Sequence, residues 1–248
     1  MKIPAFITVR SASTRLPGKC FLSFGDGTVI EHIIKRCLHY DLRPIVCTTA
    51  LSCDLEIVNI ATANRVEYFQ GQSTNKLMRW RDCANQFDLP YFHTVDADDP
   101  FFCGDEVKRS IRCMLDGRHD MVLPTLSSSN GGATVGYSLK TSIVKKACVG
   151  TNEHTDTEMM WSYIDRLKEL NKAVLDEPAS HRIEARLTLD YHEDYILLEA
   201  IRILLGSYAS RAQVYQLLAE NKILKAINES RGEEWAANQK KKSVIISG

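Results

Sequence analysis

The chain has no surplus of either charge: 31 lysines and arginines face 31 aspartates and glutamates across 248 residues. A protein that coats nucleic-acid phosphates carries a basic excess, so general nucleic-acid binding is not expected. A balanced sum still permits a local cationic pocket. No apolar run approaches the roughly 20 residues that cross a bilayer, so no membrane partner is expected either. The 8 cysteines (Cys20, Cys37, Cys47, Cys53, Cys83, Cys103, Cys113 and Cys148) include no CxxC pair, which speaks against structural zinc. Met1 to Arg10 is apolar only briefly before Arg10 interrupts it, and does not read as a secretory leader. The expectation is therefore a cytoplasmic protein whose thiols are reduced and mostly fill the core. Neither GxGxxG nor GxxxxGK[ST] occurs, which excludes the usual nicotinamide and P-loop phosphate cradles. There is no internal repeat and no clear linker.

What is present is a regular alternation. Ala5–Val9, Pro44–Thr48, Val66–Phe69, Tyr91–Val95 and Met121–Pro124 read as strands. Helical spacing covers 28–38, 55–64, 75–87 and 105–115 between them. Apolar strands in βαβα order predict an α/β fold: a mostly parallel sheet with helices on both faces. Ligands of such sheets lie beyond the C-terminal strand ends, so the loops after Val9 and Val95 should face the site. The second half predicts a helix over 157–172, a strand over 186–189, a helix over 193–205 and a helical, finally basic tail. One domain over 1–248 is expected, with an inserted lobe at about 125–185 and a helical tail at about 207–248.

Three segments carry chemistry. Arg10-Ser11-Ala12-Ser13-Thr14-Arg15-Leu16-Pro17-Gly18-Lys19 packs three cations, three hydroxyls and a glycine behind the first strand. Forked guanidinium groups, hydroxyls and loop N–H groups suit a triphosphate; a solvated basic loop has the same composition. Asp96-Ala97-Asp98-Asp99 ends the fourth strand. Crowded carboxylates suit Mg²⁺, although Asp98 or Asp99 in the role of a helix cap is the alternative. Asp190 ends a further strand, either as a second metal ligand or as a cap with Glu193.

Together these segments resemble the sugar-acid cytidylyltransferases: the CMP-Kdo and CMP-sialate synthetases, and above all the spore-coat polysaccharide (SpsF-type) nucleotidyltransferases. STRLPGK stands intact from Ser13 to Lys19. Val95–Pro100 is similar to the strand-end V-x-G-D-x-P, with Ala97 in the glycine's place. Phe69-Gln70-Gly71 with Leu77 and Arg79 is similar to the nucleotide-pocket segment, with Thr74 and Asn75 where that segment has an acidic pair. Glu153-His154-Thr155 resembles R-E-H-V-T, and Arg186–Asp190 resembles R-L-T-V-D.

The resemblance implies a Rossmann-like nucleotide-diphospho-sugar transferase fold. It implies transfer of CMP from CTP to the anomeric hydroxyl of a sugar acid, with release of pyrophosphate, for surface polysaccharide. The implied catalytic set is Arg10, Arg15, Lys19, Asp98 and Asp190, with Mg²⁺ on Asp98 and Asp190. CTP would be held by Arg10, Ala12, Ser13, Thr14, Arg15, Lys19, Gln72, Asn75, Arg79 and Asp96. The small anionic acceptor would meet Glu153, His154 and Arg186, with His181 and Arg182 as further candidates. Trp161 and Tyr163 are expected to pack on a partner or the core. A homodimer is implied, joined through the lobe or the tail. Two rival readings stand beside this one: a phosphate or phosphonate acceptor, which wants extra cations, and a nucleotide-binding α/β protein without catalysis.

Overall fold

The computed structural model describes residues 2–177, 185–232 and 234. Four parallel strands form half of a single sheet: β1 (Pro4–Thr8), β2 (Arg43–Thr49), β3 (Glu67–Gly71) and β4 (Tyr91–Asp96). Three short strands extend it: β5 (Met121–Leu123), β6 (Ser138–Lys140) and β7 (Lys172–Val174). β6 runs antiparallel to both β4 and β5, and β7 runs parallel to β5. The order is β3-β2-β1-β4-β6-β5-β7, a mostly parallel mixed sheet as the alternation of elements implied.

Helices cover both faces because β1 is apolar on both. Ala5 and Ile7 join one core with Ile33 of α1 (Val29–His39), Ile57 of α2 (Leu55–Ala63) and Val107 of α4 (Gly104–Asp116). The same core takes Leu198 of α7 (His192–Leu205) and Val214 of α8 (Arg211–Glu220). Phe6, one residue out of phase, joins the opposite core with Trp80 of α3 (Lys76–Gln86) and Val144 of α5 (Thr141–Ala147). Its ring stacks on Phe92 of β4 at 4.1 Å. All eight cysteines are free, and five of them lie in these two cores. Among the described residues no helix is long and apolar enough to cross a membrane.

The second half departs from expectation in three places. The helix expected over 157–172 shrinks to α6 (Trp161–Ile164). Thr157 is drawn inward to bond Asn75 and the Leu77 N–H, and Glu169 adopts a left-handed backbone at φ 59°, so no long helix can form. Among the described residues, the strand expected over 186–189 has no strand partner. Leu187 N–H donates to Gly131 O at 2.8 Å and Leu189 N–H to Asp98 O at 2.7 Å, so this segment crosses the strand ends instead of joining them. The tail forms α8 and the short α9 (Lys222–Ala226), and both the Lys240–Ser243 ending and His181 and Arg182 lie outside the described residues.

β1 and β4 pair with Thr8 opposite Asp96, so their following loops leave the sheet at one edge. The loop after β2 leaves at that edge as well, since Thr8 also pairs with Cys47.

Candidate active site

A cleft of about 820 Å³ opens at this edge. Its wall on one side is the loop after β1. Gly18 takes φ 67° there, a left-handed turn that brings Lys19 back toward the sheet. Lys19 Nζ donates to Asp98 Oδ2 at 2.6 Å, to Asp190 Oδ1 at 2.9 Å and to Leu189 O at 2.8 Å. Arg15 Nη2 lies 2.7 Å from the same Asp190 oxygen. Arg186 Nη2 donates to the other oxygen of Asp190 at 2.9 Å. Burial acts to raise the Asp190 carboxyl, but Lys19 and Arg15 outweigh it and hold its pKa at about 2. Burial likewise opposes the Lys19 charge, and Asp98 with Asp190 more than restores it, pushing the ammonium above its ordinary value. Burial, then the charges of Asp98 and Asp96, push the Asp99 carboxyl well above the usual range.

A second chain of charge crosses the cleft. Glu158 lies 3.4 Å from Arg10 and 3.8 Å from Lys76, and Lys76 lies 3.8 Å from Asp96. Lys76 also sits over the Trp80 ring at 5.1 Å. The far wall carries Pro124, Ser128, Ser129, Tyr137 and Trp161. Beside the main cleft, and sharing Arg10 with it, is a smaller pocket of about 180 Å³ lined by Ala12, Thr49, Asp54, Ser73, Thr74 and Asp156 among others.

The helix-cap alternatives are resolved by where the helices begin. α4 starts at Gly104, after Cys103, so neither Asp98 nor Asp99 caps it. At α7 the capping carboxylate is Asp194, which accepts the N–H groups of Asp190 and Tyr191 at 2.9 Å each. Asp190 is thereby free to face Lys19.

Of the residues singled out from sequence, Arg10, Ser13, Thr14, Arg15, Lys19, Arg79, Asp96, Asp98 and Asp190 line the cleft, and Ala12 lines the small pocket. Five lie elsewhere. Asn75 is fully buried: it caps α3 through Met78 N–H and donates to Thr151 Oγ1 and Asn152 O, which leaves it no face toward a ligand. Gln72 contributes only a backbone carbonyl, which takes a hydrogen bond from Arg79. Glu153 and His154 pair with each other at 3.5 Å on an exposed turn, with the imidazole 86% exposed. Arg186 is 6% exposed and bonds Asp190 and Asp194, so it positions the site from behind. Trp161, expected to pack away, lines the cleft and is 37% exposed; Tyr163 packs against the core as expected, its hydroxyl donating to Asp156 O.

Lys76, Glu158, Tyr137 and Asp54 were not foreseen. A single lysine at a helix start or a single glutamate in a polar stretch gives no signal. Asp54 had one, since it follows β2 and the loops after parallel strands face the site. Its carboxylate accepts the Ser11 N–H at 2.8 Å and the Ser11 hydroxyl at 2.6 Å, and the Thr49 hydroxyl, which ties the cationic loop to β2.

No protein-family model matches the chain, and no curated protein sequence matches it. Solved structures do. A cytidylyltransferase from Leptospira borgpetersenii serovar Hardjo-bovis superposes with TM-score 0.79 at 21% identity, covering 91% of this chain and 97% of its own. CMP:2-keto-3-deoxy-manno-octonic acid synthetase complexed with CTP matches with TM-score 0.61 at 12% identity, over 84% of this chain and 100% of its own. A 4-diphosphocytidyl-2C-methyl-D-erythritol synthase matches with TM-score 0.58 at 13% identity, over 81% and 98%. The chain thus has the α/β fold of the nucleotidyltransferases. Among the structures that share it are these three, of which the Leptospira chain is similar over nearly the whole length of both proteins.

Proposed function

We propose that the protein is a CTP-dependent cytidylyltransferase that transfers CMP to a sugar acid and releases pyrophosphate, in the synthesis of surface glycans. The observation that carries this reading is the convergence of Lys19 on Asp98 and Asp190, with Arg15 on the same carboxylate, at the sheet edge where nucleotides bind. Structures of the same fold that are cytidylyltransferases support it, one of them complexed with CTP.

In this reading Arg10, Arg15 and Lys19 bind the β- and γ-phosphates. The acceptor hydroxyl oxygen attacks the α-phosphorus and gives its proton to solvent water, the bond to the β-phosphate breaks, and pyrophosphate leaves with the electron pair. Cations fixed beside the leaving oxygens lower the barrier because they meet charge that grows only as that bond breaks. Asp54 keeps Ser11 and its loop in place for this contact. The small pocket beside Arg10 takes the base, with Ala12 at its wall.

The carboxylates fit a hard divalent ion. Asp98 and Asp190 aim at one point, now held by the Lys19 ammonium, and Mg²⁺ commonly takes one or two carboxylates with water and substrate phosphates. Among the described residues no set of three His, Cys, Asp or Glu side chains forms a metal cluster. When bound, Mg²⁺ would polarise the α-phosphate and make the acceptor hydroxyl more acidic.

The far wall is compatible with a sugar acid as the acceptor. Its described lining residues between 124 and 161 carry the hydroxyls of Ser129 and Tyr137 and the Glu158 carboxylate, and no arginine or lysine; the Ser128 hydroxyl is taken up by Val135 O and the Thr134 and Val135 N–H groups. Two cations reach it from across the cleft, Arg10 at 3.4 Å and Lys76 at 3.8 Å from Glu158.

Pyrophosphate release from CTP and Mg²⁺, with 3-deoxy-2-ulosonic acids set against phosphorylated sugars, tests the proposal. Turnover with the sugar acids and its loss in Asp98→Asn are expected. CTP binding without pyrophosphate release from any acceptor would leave a nucleotide binder and overturn it.

A further inference from the structure

Among the described residues, the segment that presents Asp190 has no strand partner to fix it. What holds it is Asp194, 0% exposed, which accepts the main-chain N–H groups of Asp190 and Tyr191 and both Nε and Nη2 of Arg186. Arg186 then carries the restraint to the Asp190 carboxylate, donating to Oδ2 at 2.9 Å. One buried carboxylate therefore sets both the backbone and the guanidinium that aim Asp190 at Lys19.

Asp194 is itself held from the far end of the chain. Asn228, 2% exposed and just beyond α9, donates from Nδ2 to Asp194 Oδ1 at 2.8 Å and to the Arg186 carbonyl at 2.9 Å. Three residues on, Arg231 Nη2 donates to Glu193 at 2.9 Å, and its guanidinium lies 5.1 Å from the Tyr191 ring. Arg15, from the cationic loop, lies 5.8 Å from that same ring. The C-terminal segment thus grips the turn that carries Asp190 at two points.

We propose that Asn228 is a positioning residue for the transfer reaction, acting through Asp194 and Arg186 on Asp190. The inference rests on the role given to Asp190 above. Both hydrogen bonds come from one amide nitrogen to two oxygen acceptors. An oxygen in its place would face a carboxylate and a carbonyl with nothing to donate. The donor, not the volume, is the working part.

The test is steady-state pyrophosphate release by the full chain for wild type, Asn228→Ala, Asn228→Ser and Asn228→Asp, with thermal unfolding recorded for each. Removing the outer partner of a site carboxylate commonly lowers activity roughly ten- to a hundredfold, and Asn228→Ala should lose kcat in that range with KM for CTP changed less than about twofold. Asn228→Ser, which keeps a donor, should fall between Asn228→Ala and wild type. Asn228→Asp, nearly isosteric, should be the slowest. A residue that only fills space would give the reverse order, with Asn228→Asp faster than Asn228→Ala, and that result overturns the inference. Should Asn228→Asp fail to unfold cooperatively, equal kcat in the alanine and serine variants overturns it instead. An active wild type with an unchanged kcat in Asn228→Ala sinks this inference alone. A wild type that releases no pyrophosphate with any acceptor sinks the functional reading and this inference with it.

Discussion

Lys19 is the residue through which the two signs of the cleft meet, with its side chain 15% exposed between Asp98 and Asp190. Lys19→Met removes the ammonium and leaves two carboxylates facing each other. We expect kcat/KM for pyrophosphate release to fall about a hundredfold or more, the usual effect of deleting one electrostatic contact to a developing charge. Isothermal titration with CTP should show weaker binding, and unaltered turnover would refute the assignment. A different residue governs the acid response of the fold. His32 is 5% exposed, with Nε2 2.8 Å from Pro100 O, and burial holds its pKa down to about 4. Its unfolded value is about 6.5, so between those two values the unfolded chain binds a proton that the folded chain does not. Stability is then full above the unfolded value and falls as pH drops toward the folded one, by roughly 3 kcal/mol at the limit for this one group. His93, 0% exposed and held down to about 3 by burial, adds a loss of the same sign. His32→Gln retains a donor for Pro100 O and should flatten the decline in urea midpoint between about pH 7 and about pH 4.5. Identical slopes in variant and wild type would count against it.

At the scale of elements, the join between β4 and the segment before β6 has no room for a side chain. A Cβ on Gly136 would lie 2.2 Å from Thr94 O and 2.5 Å from Thr94 Oγ1. Thr94 and Tyr137 are bonded there in both directions, at 2.8 and 2.9 Å. Gly136→Ala should therefore cost about 1–3 kcal/mol, the range for overpacking, and should shift Tyr137 in the cleft wall. Denaturant unfolding measures the first effect, and acceptor KM reports the second. The same region marks where sequence reading lost its hold. β1, β2 and β4 were legible as short continuous apolar runs, and α1 to α4 as stretches of helical spacing between strands. β6 and β7 have three residues each, too few to show a period. The 157–172 stretch has helical composition, but a buried Thr157 bound to Asn75 overrides local preference. The charged residues of the site were legible where they cluster in sequence, at 10–19 and 96–99. Glu158 and Lys76 meet only through folding. Arg186 was read as a ligand contact because a sequence does not show which way a guanidinium points.

For the molecule as a whole, α8 belongs to the core. Val214, Tyr215 and Leu218 of α8 are at most 2% exposed. Arg211, also on α8, pairs with Glu106 of α4 and with Glu177, all within a few per cent of full burial. A chain ending at Ser207 would keep Glu106 buried without that cation and lose the Asn228 contacts, a change that typically costs about 3–5 kcal/mol for the ion pair alone. We expect such a chain to lose its cooperative thermal transition, as calorimetry would record; a sharp transition near that of the full chain would refute this. The expected homodimer is accordingly tested on the full-length chain by light scattering.

The Lys19 bridge has a thermodynamic consequence. With Asp98 and Asp190 already matched by Lys19 and Arg15, a polyphosphate arriving alone must draw those cations away, stranding Asp98 and leaving Asp190 to Arg186 alone. A divalent ion arriving alone must displace the ammonium with nothing to receive it. Arriving together, the two ligands give every displaced charge a new partner. Their affinities are then coupled, each strengthening the other by the same factor, as linkage requires. Calorimetric titrations of CTP with and without Mg²⁺, and of Mg²⁺ with and without CTP, should return one shared coupling factor. On the proposed function, a cleft that neutralises itself at rest would in this way be selective for the nucleotide–metal pair over either alone.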